Sequence, residues 1–246
     1  MSADNMDIGE QAISNAAEEG IKAQLDAVDS LNVELRTDPA KLTQGQLEQV
    51  IVEGKGMVVK NDLRTEEMTL KTSSVDISMT QIPLGKVVLD KPAQADARVV
   101  LLPQDLQTAF NSDFIKQKIR GQKIELPSGD RATTDASNIE FTIPEPDRIA
   151  VSGDVMFIEK AENHHVAFSA TPTIVEGGNK VKLEDIQYEE DANDKPELTQ
   201  SLINGTEDLL DLRNFELDNM NLQFEKIDIQ TDKIVITASA DIQSFD

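Results

Sequence analysis

Hydrophobic and polar residues alternate along most of this chain. Leu31, Val33 and Leu35 alternate with polar residues, and the same one-sided pattern continues from Val50 to Val59. Successive side chains of a strand point to opposite faces of a sheet, so alternation predicts strands with one buried face. The pattern recurs as far as Ile242, which makes strands the dominant predicted element.

Local breaks in this alternation predict where strands end or bend. Asp38-Pro39 ends the first strand, because proline cannot extend a hydrogen-bonded ladder. Gly54 and Gly56 interrupt the next strand, and Glu184-Asp185 shifts the phase of a later one. The two glycines permit a sharp bend or a β-bulge, and the phase shift is typical of a β-bulge.

Three segments instead repeat apolar residues every three or four positions, the spacing of amphipathic helices. They cover residues 7–29, 103–120 and 194–212. Pro103 suits the first turn of the second helix, and Gly121 suits its end.

The order of these elements predicts one domain over residues 1–246. Three strand blocks, at 31–101, 122–190 and 215–243, alternate with the three helices. Short polar connections favour antiparallel strands, and the polar, turn-rich residues 127–138 suit a loop between two halves. Because the strands are apolar on one face only, the helices must cover that face. We therefore expect an α+β fold in which a long curved antiparallel sheet wraps around one to three amphipathic helices.

The charge of the chain excludes one class of partner. With 46 acidic and 23 basic residues, the formal net charge is −23, which repels DNA and RNA. The sequence shows no basic, apolar export signal and no apolar window of membrane-spanning length. These features predict a soluble, cytoplasmic protein without nucleic-acid partners, for which peripheral contact with a membrane stays open.

No motif for catalysis, metal or cofactor binding stands out. Cysteine is absent, and neither a nucleophile elbow nor a phosphate-binding loop is present. His164 and His165 are adjacent, so on a strand they would point to opposite faces, and Glu162 adds only one further ligand. We expect a protein that is not an enzyme and has no metal or cofactor; a lipid hydrolase would need an activity that no residue indicates.

Several stretches resemble the LmeA-like phospholipid-binding family, in particular its cyanobacterial-type members. They are Leu31–Pro39, Gln44–Val58, Leu63–Thr72, and Ala97–Leu101 together with Leu106–Phe114. The resemblance implies a tubular lipid-binding fold, akin to half of a bactericidal/permeability-increasing protein. Such folds hold an acyl chain between a curved sheet and a long helix. The implied ligand is a phospholipid or another fatty acyl lipid.

With this resemblance, the apolar stripes of the first two helices become candidates for the wall of a lipid groove. The candidate residues are Ile13, Ala17, Ile21, Leu25, Leu106, Phe110 and Phe114. The alternative is that these stripes pack on the sheet as ordinary core. In that case the protein is a structural or protein-interaction domain with a fully packed interior and no ligand.

The only basic concentration in this acidic chain follows the second apolar stripe. Lys116, Lys118, Arg120 and Lys123 lie together without an acidic residue between them. They are candidates for contact with a lipid head group or an anionic membrane. The alternative is that these cations simply favour the C-terminal end of a helix.

Overall fold

A computed structural model describes residues 8–78, 80–81, 88–125, 131–189, 196–214 and 220–243 of the 246-residue chain. The helices are α1 (Ile8–Lys22), α2 (Pro39–Leu42), α3 (Pro103–Asn111), α4 (Asp113–Ile119) and α5 (Pro196–Leu209). The strands are β1 (Ser30–Arg36), β2 (Gln46–Leu47), β3 (Gln49–Val59), β4 (Leu63–Thr72), β5 (Val75–Asp76), β6 (Ala93–Leu101), β7 (Gln122–Glu125), β8 (Arg131–Glu145), β9 (Arg148–Phe157), β10 (Glu162–Val175), β11 (Lys180–Tyr188), β12 (Met220–Ile229) and β13 (Ile234–Ile242).

The strands form two main antiparallel sheets. One sheet has six strands in the order β1-β3-β4-β6-β13-β12, and the other has five in the order β11-β10-β9-β8-β7. Strands β2 and β5 pair separately as a short ribbon. The predicted α+β class, in which antiparallel sheet packs on helices, is confirmed. The hydrogen bonds between strands form two main sheets where one long sheet was predicted.

The six-stranded sheet packs its inner face on α1, which lies along β1. We call this cluster the α1 core; its buried members include Ile13, Val33, Leu35, Ala93, Ala95, Ala240 and Ile242. The backbone N–H of Val33 donates to Glu18 Oε1 at 3.1 Å. This bond fixes α1 against the outer edge of β1, which no other strand of the described residues occupies.

The five-stranded sheet packs its inner face on α3, α4 and α5. We call this cluster the α5 core. Its centre is closed to solvent: Val151, Val155, Phe157, Phe168, Leu198 and Ile203 are each 2% exposed or less. Helix α5 is buried on most sides and fills the space between α4 and the sheet.

The first helix is shorter than the predicted segment 7–29, because it ends at Lys22. The residues that follow pair with β3 instead. The backbone N–H of Asp26 donates to the Val58 carbonyl, and that of Asp29 donates to the Lys55 carbonyl. Apolar spacing alone could not reveal that strand pairing satisfies these backbone groups. Position 7 lies outside the described residues.

The predicted helix 103–120 is two helices. Ser112 has an extended backbone (φ −68°, ψ 153°) and separates α3 from α4. Its Oγ accepts a hydrogen bond from the N–H of Ile115 at 3.2 Å, which caps α4. Pro103 begins α3 as predicted.

The predicted loop 127–138 is wrong over residues 131–138, because β8 begins at Arg131. Ala132 and Thr134 face the core there, and Thr134 Oγ1 lies 2.6 Å from Ser201 Oγ on α5. This contact gives the buried hydroxyl of Thr134 a partner within the core. Residues 126–130 lie outside the described part of the chain.

One of the two predicted strand interruptions is a β-bulge. The register of β11 on β10 shifts next to Asp185, whereas the register of β3 on β4 stays constant on both sides of Gly56, although that residue has φ +57°. The third helix covers Pro196–Leu209, within the predicted segment 194–212. Three predicted boundaries lie outside the described residues: the end of the second strand block at 190, the start of the third helix at 194 and the start of the last strand block at 215.

Candidate functional site

The apolar stripe of α1 lies in the α1 core. Ile13 is buried there, and Ala17 and Ile21 are half-buried beside it. Leu25 follows the end of the helix and is half-buried in the turn toward β1. The first predicted stripe therefore lies along one side of the six-stranded sheet.

The apolar stripe of α3 and α4 lies in the other core. The Phe110 ring stacks on Phe141 with centroids 6.0 Å apart and planes at 16°. Leu106 and Phe114 are half-buried against the same core. The cavity that Phe110 lines has a volume of about 10 Å³, which is room for about one water molecule. These side chains thus pack α3 and α4 onto the five-stranded sheet, and the structure does not bring them together with the α1 stripe.

A different apolar surface is accessible on the inner face of the six-stranded sheet. It consists of five half-buried side chains that belong to neither core, which we call the open strip: Met68, Ala97, Val99, Phe224 and Ala238. Strand pairing sets Met68 beside Val99, Ala97 beside Ala238, and Ala238 beside Phe224. With neighbouring strands about 4.8 Å apart, the strip spans roughly 14 Å across β4, β6, β13 and β12.

The open strip connects the two cores. On one side Leu70 pairs with Ala97 and packs against the α1 core. On the other side Ile236 pairs with Val99 and packs against the α5 core. The helices flank the strip, with α1 along β1 and α3 against β4 and β8.

The opposite face of these strands is mainly polar. Thr69, Arg98 and Thr237 form one row across it, and Arg98 Nη1 lies 3.7 Å from Glu67 Oε2. Val100 is a buried apolar exception on that face. The apolar strip is therefore on the side of the sheet that normally becomes core, and its partial exposure reflects incomplete cover.

A charged cluster borders the strip where α3 meets β4. Arg64 Nη1 lies 2.7 Å from Glu66 Oε2 and 2.8 Å from Asp105 Oδ2. Hydrogen bonding to Glu66, and then to the nearly buried Asp105, raises the pKa of Arg64. Alternation places Arg64 and Glu66 on the same face as Met68. The cluster fixes α3 to the sheet beside the strip.

The predicted basic residues lie elsewhere, at the edge of the five-stranded sheet. Lys116 is half-buried, and Lys118, Arg120 and Lys123 are exposed. Arg120 Nε lies 3.6 Å from Asp135 Oδ2. These cations are on a different sheet from the open strip and do not line it.

The two histidines face opposite sides of β10, as their adjacency predicted. The His164 ring meets Phe157 edge-on at 6.2 Å, whereas His165 Nδ1 lies 3.2 Å from Asp154 Oδ1. Hydrogen bonds from Asn138 and His165 lower the pKa of Asp154. Across the described ranges, no three His, Asp or Glu side chains gather as metal ligands.

Sequence reasoning missed the open strip as a site. Its strands were recognised, but alternation says only which face is apolar and not whether a helix covers it. The one available signal was a difference in number. The sequence predicts only three amphipathic helices to cover three blocks of strands that are each apolar on one face.

Taken together, these features define an α+β protein in which helices and antiparallel sheets close two cores and leave part of one apolar inner face accessible. The model of the LmeA-like phospholipid-binding family matches residues 6–239, so the chain belongs to that family. No curated protein and no solved structure matches the chain significantly. None of the helices among the described residues has both the length and the apolar character to span a membrane.

Proposed function

We propose that this protein binds a phospholipid or another acyl-chain lipid, holding the acyl chain on the open strip. The observation that carries the proposal is an apolar inner sheet face that stays half-buried between two closed cores. Membership of a phospholipid-binding family supports the ligand class. Ala17 and Ile21 of α1 flank the proposed groove, whereas Leu106, Phe110 and Phe114 support its other side from within the α5 core.

Hydrophobic burial supplies the affinity in this proposal. Each methylene that leaves water contributes about 0.8 kcal/mol. The strip presents hydrocarbon, a thioether and an aromatic ring, and none of these side chains selects a particular chain length by hydrogen bonding. We therefore expect tolerance for acyl chains of different length.

The proposed role is binding or transfer rather than catalysis. The five side chains of the strip include no nucleophile and no titratable group. The neighbouring Arg64 is already bound to Glu66 and Asp105 and serves to hold α3. A lipid on the strip would thus be held without a reacting group beside its ester bonds.

The test is a matched pair of substitutions on β13. Ala238→Trp fills the open strip, whereas Ser239→Trp places the same ring on the opposite face of the sheet. After incubation with phosphatidylcholine vesicles and removal of the vesicles, native mass spectrometry measures the lipid that stays bound. We expect one lipid per wild-type chain, at least a tenfold lower bound fraction in Ala238→Trp, and wild-type uptake in Ser239→Trp.

Circular dichroism and urea unfolding show whether each variant is folded. If Ala238→Trp does not fold, Met68→Asp tests the same strip with a smaller side chain. Wild-type lipid uptake by a folded strip variant would overturn the proposed site. No uptake by the wild type would instead favour the alternative of a protein-interaction domain whose partner covers the strip.

A further inference from the structure

The turn between β9 and β10 exposes an aliphatic side chain at one end of the five-stranded sheet. Ile158 is 44% exposed. Its N–H donates to the Thr133 carbonyl at 2.9 Å, and Thr133 pairs with Lys123 on β7. Ile158, Thr133 and Lys123 therefore lie side by side, and the outer two are about 10 Å apart, or two strand spacings.

Basic side chains gather at this end of the sheet. We call the group, together with Ile158, the basic tip: Lys118, Arg120, Lys123, Arg131 and Lys160. The Nζ atom of Lys160 lies 5.6 Å from the ring centroid of Phe157. Among the described side chains, no ion pair involves Lys118, Lys123 or Arg131.

Three described carboxylates near the basic tip already have partners, and the strand register also sets Glu125 of β7 opposite Arg131. Asp135 lies 3.6 Å from Arg120, and Glu162 lies 3.7 Å from His164. Both oxygens of Glu159 accept from the N–H of Thr133, at 2.9 and 3.0 Å. The described side chains of this end thus present five cations and three carboxylates, in a chain with net charge −23. Charges farther away than about 8 Å are largely screened at physiological ionic strength.

We propose that the basic tip docks on the surface of an anionic lipid bilayer, with Ile158 inserted at the interface. An exposed aliphatic side chain on a turn gains free energy by entering the acyl region, while nearby Lys and Arg approach anionic head groups. Charge complementarity favours a bilayer that carries negative charge. The basic tip is on the other sheet from the open strip, so docking does not depend on lipid binding there.

The size of the effect follows from the number of contacts. Each Lys or Arg close to an anionic bilayer strengthens binding by roughly fivefold. Reversing three of these charges is expected to weaken binding at least a hundredfold, and replacing Ile158 by a charged residue about tenfold.

Flotation with vesicles measures docking directly. The two compositions are pure phosphatidylcholine and a 70:30 mixture of phosphatidylcholine and phosphatidylserine, both in 0.1 M NaCl. We expect the wild-type chain to float only with the anionic vesicles. The triple variant Lys123→Glu, Arg131→Glu, Lys160→Glu and the single variant Ile158→Asp should lose binding by the factors given above.

Matched controls separate the basic tip from general charge and hydrophobicity. The triple variant Lys55→Glu, Lys71→Glu, Lys226→Glu changes the net charge equally, at exposed positions of the six-stranded sheet. Val59→Asp changes another exposed apolar residue, 38% exposed, at the β3–β4 turn. Both controls should float like the wild type.

Three outcomes would overturn the proposal: no flotation of the wild type with anionic vesicles, equal flotation with both compositions, or equal loss in the tip variants and their controls. The variant Ala238→Trp should still float, because its substitution is on the open strip. Docking and lipid uptake can therefore fail separately.

Discussion

The two sheets of this protein share a strand pattern and differ in their cover. Strands of both sheets are antiparallel and present apolar side chains to one inner face. Three helices pack on the five-stranded sheet, and its central residues, such as Val155 and Phe168, are 0% and 1% exposed. One long helix lies along the edge strand of the six-stranded sheet, and the middle of that sheet remains half-buried.

This difference shows that an apolar strand face is not by itself a core. The same alternation becomes packed interior where helices cover it and accessible surface where they do not. In the first case the side chains stabilise the fold, and in the second they are free to contact a ligand. Substitutions at matched positions of the two sheets should separate these roles.

The largest expected difference is in the loss of stability that an introduced charge causes in the α5 core and on the open strip. Phe110→Asp buries a carboxylate under α3, in the sealed α5 core, and should lower the free energy of unfolding by about 4 kcal/mol or more. Met68→Asp places the carboxylate on the open strip, where water can reach it, and should cost about 1 kcal/mol. Urea unfolding followed by circular dichroism measures both.

Lipid uptake then completes this comparison. Met68→Asp should stay folded and lose uptake from phosphatidylcholine vesicles. A Phe110→Asp variant that folds normally but binds no lipid would reverse the roles assigned to the two regions.

A pair of phenylalanines gives a smaller difference of the same kind. Phe168→Ala removes a ring that is 1% exposed and should cost about 3–5 kcal/mol, because it leaves a cavity. Phe224→Ala removes a half-buried ring from the strip and should cost about 1 kcal/mol while reducing lipid uptake. Thermal unfolding and native mass spectrometry measure the two effects; equal losses of stability would mean that the strip is as closed as the α5 core.

The smallest expected effect concerns acid stability of the sealed region. Hydrogen bonding from Arg213, with a further contribution from the charge of Lys180, lowers the pKa of Asp211 from 3.8 to about 2. Asp211 lies after α5 and forms a bridge to Lys180 at the start of β11. Because its folded-state pKa is depressed, the ionised carboxylate stabilises the fold above about pH 4, and this contribution is lost as the pH falls toward 2.

Asp211→Asn should therefore lower the urea midpoint at pH 7 and weaken its dependence on pH between 4 and 2. Asp228→Asn is the matched control on the six-stranded sheet. The pKa of Asp228 is also lowered, first by Gln230 and then by Lys226, but its side chain is 39% exposed compared with 9% for Asp211. A larger effect at Asp228 would contradict the greater stability assigned to the sealed region.

Much of the fold could be predicted from periodicity. The strands around Val33, Phe141 and Ile236 alternate as expected, and the bulge next to Asp185 was visible as a local break. Errors arose where tertiary hydrogen bonds replaced local ones. Residues 26–29 pair with β3, Ser112 divides a predicted helix, and the hydroxyl of Thr134 is buried in a strand where Ser201 of α5 offers it a partner.

The candidate site was only partly predictable. The α1 stripe pointed to the sheet that contains the open strip, since Ala17 and Ile21 pack against the core on the same inner face. Phe110 and Phe114 have the same helical spacing, but they lie under α5 in a sealed core. Helical spacing identifies an apolar face and contains no information about how many other elements cover it.

By itself, the sequence determined which residues are apolar on one side, that antiparallel strands and helices combine into an α+β protein, and that negative charge dominates its composition. Those properties follow from local alternation and composition, which need no knowledge of distant contacts. Only the tertiary structure decided which apolar face is closed and which is accessible. That outcome depends on where α5 and α1 pack, and packing between elements far apart in the chain is a property of the whole fold.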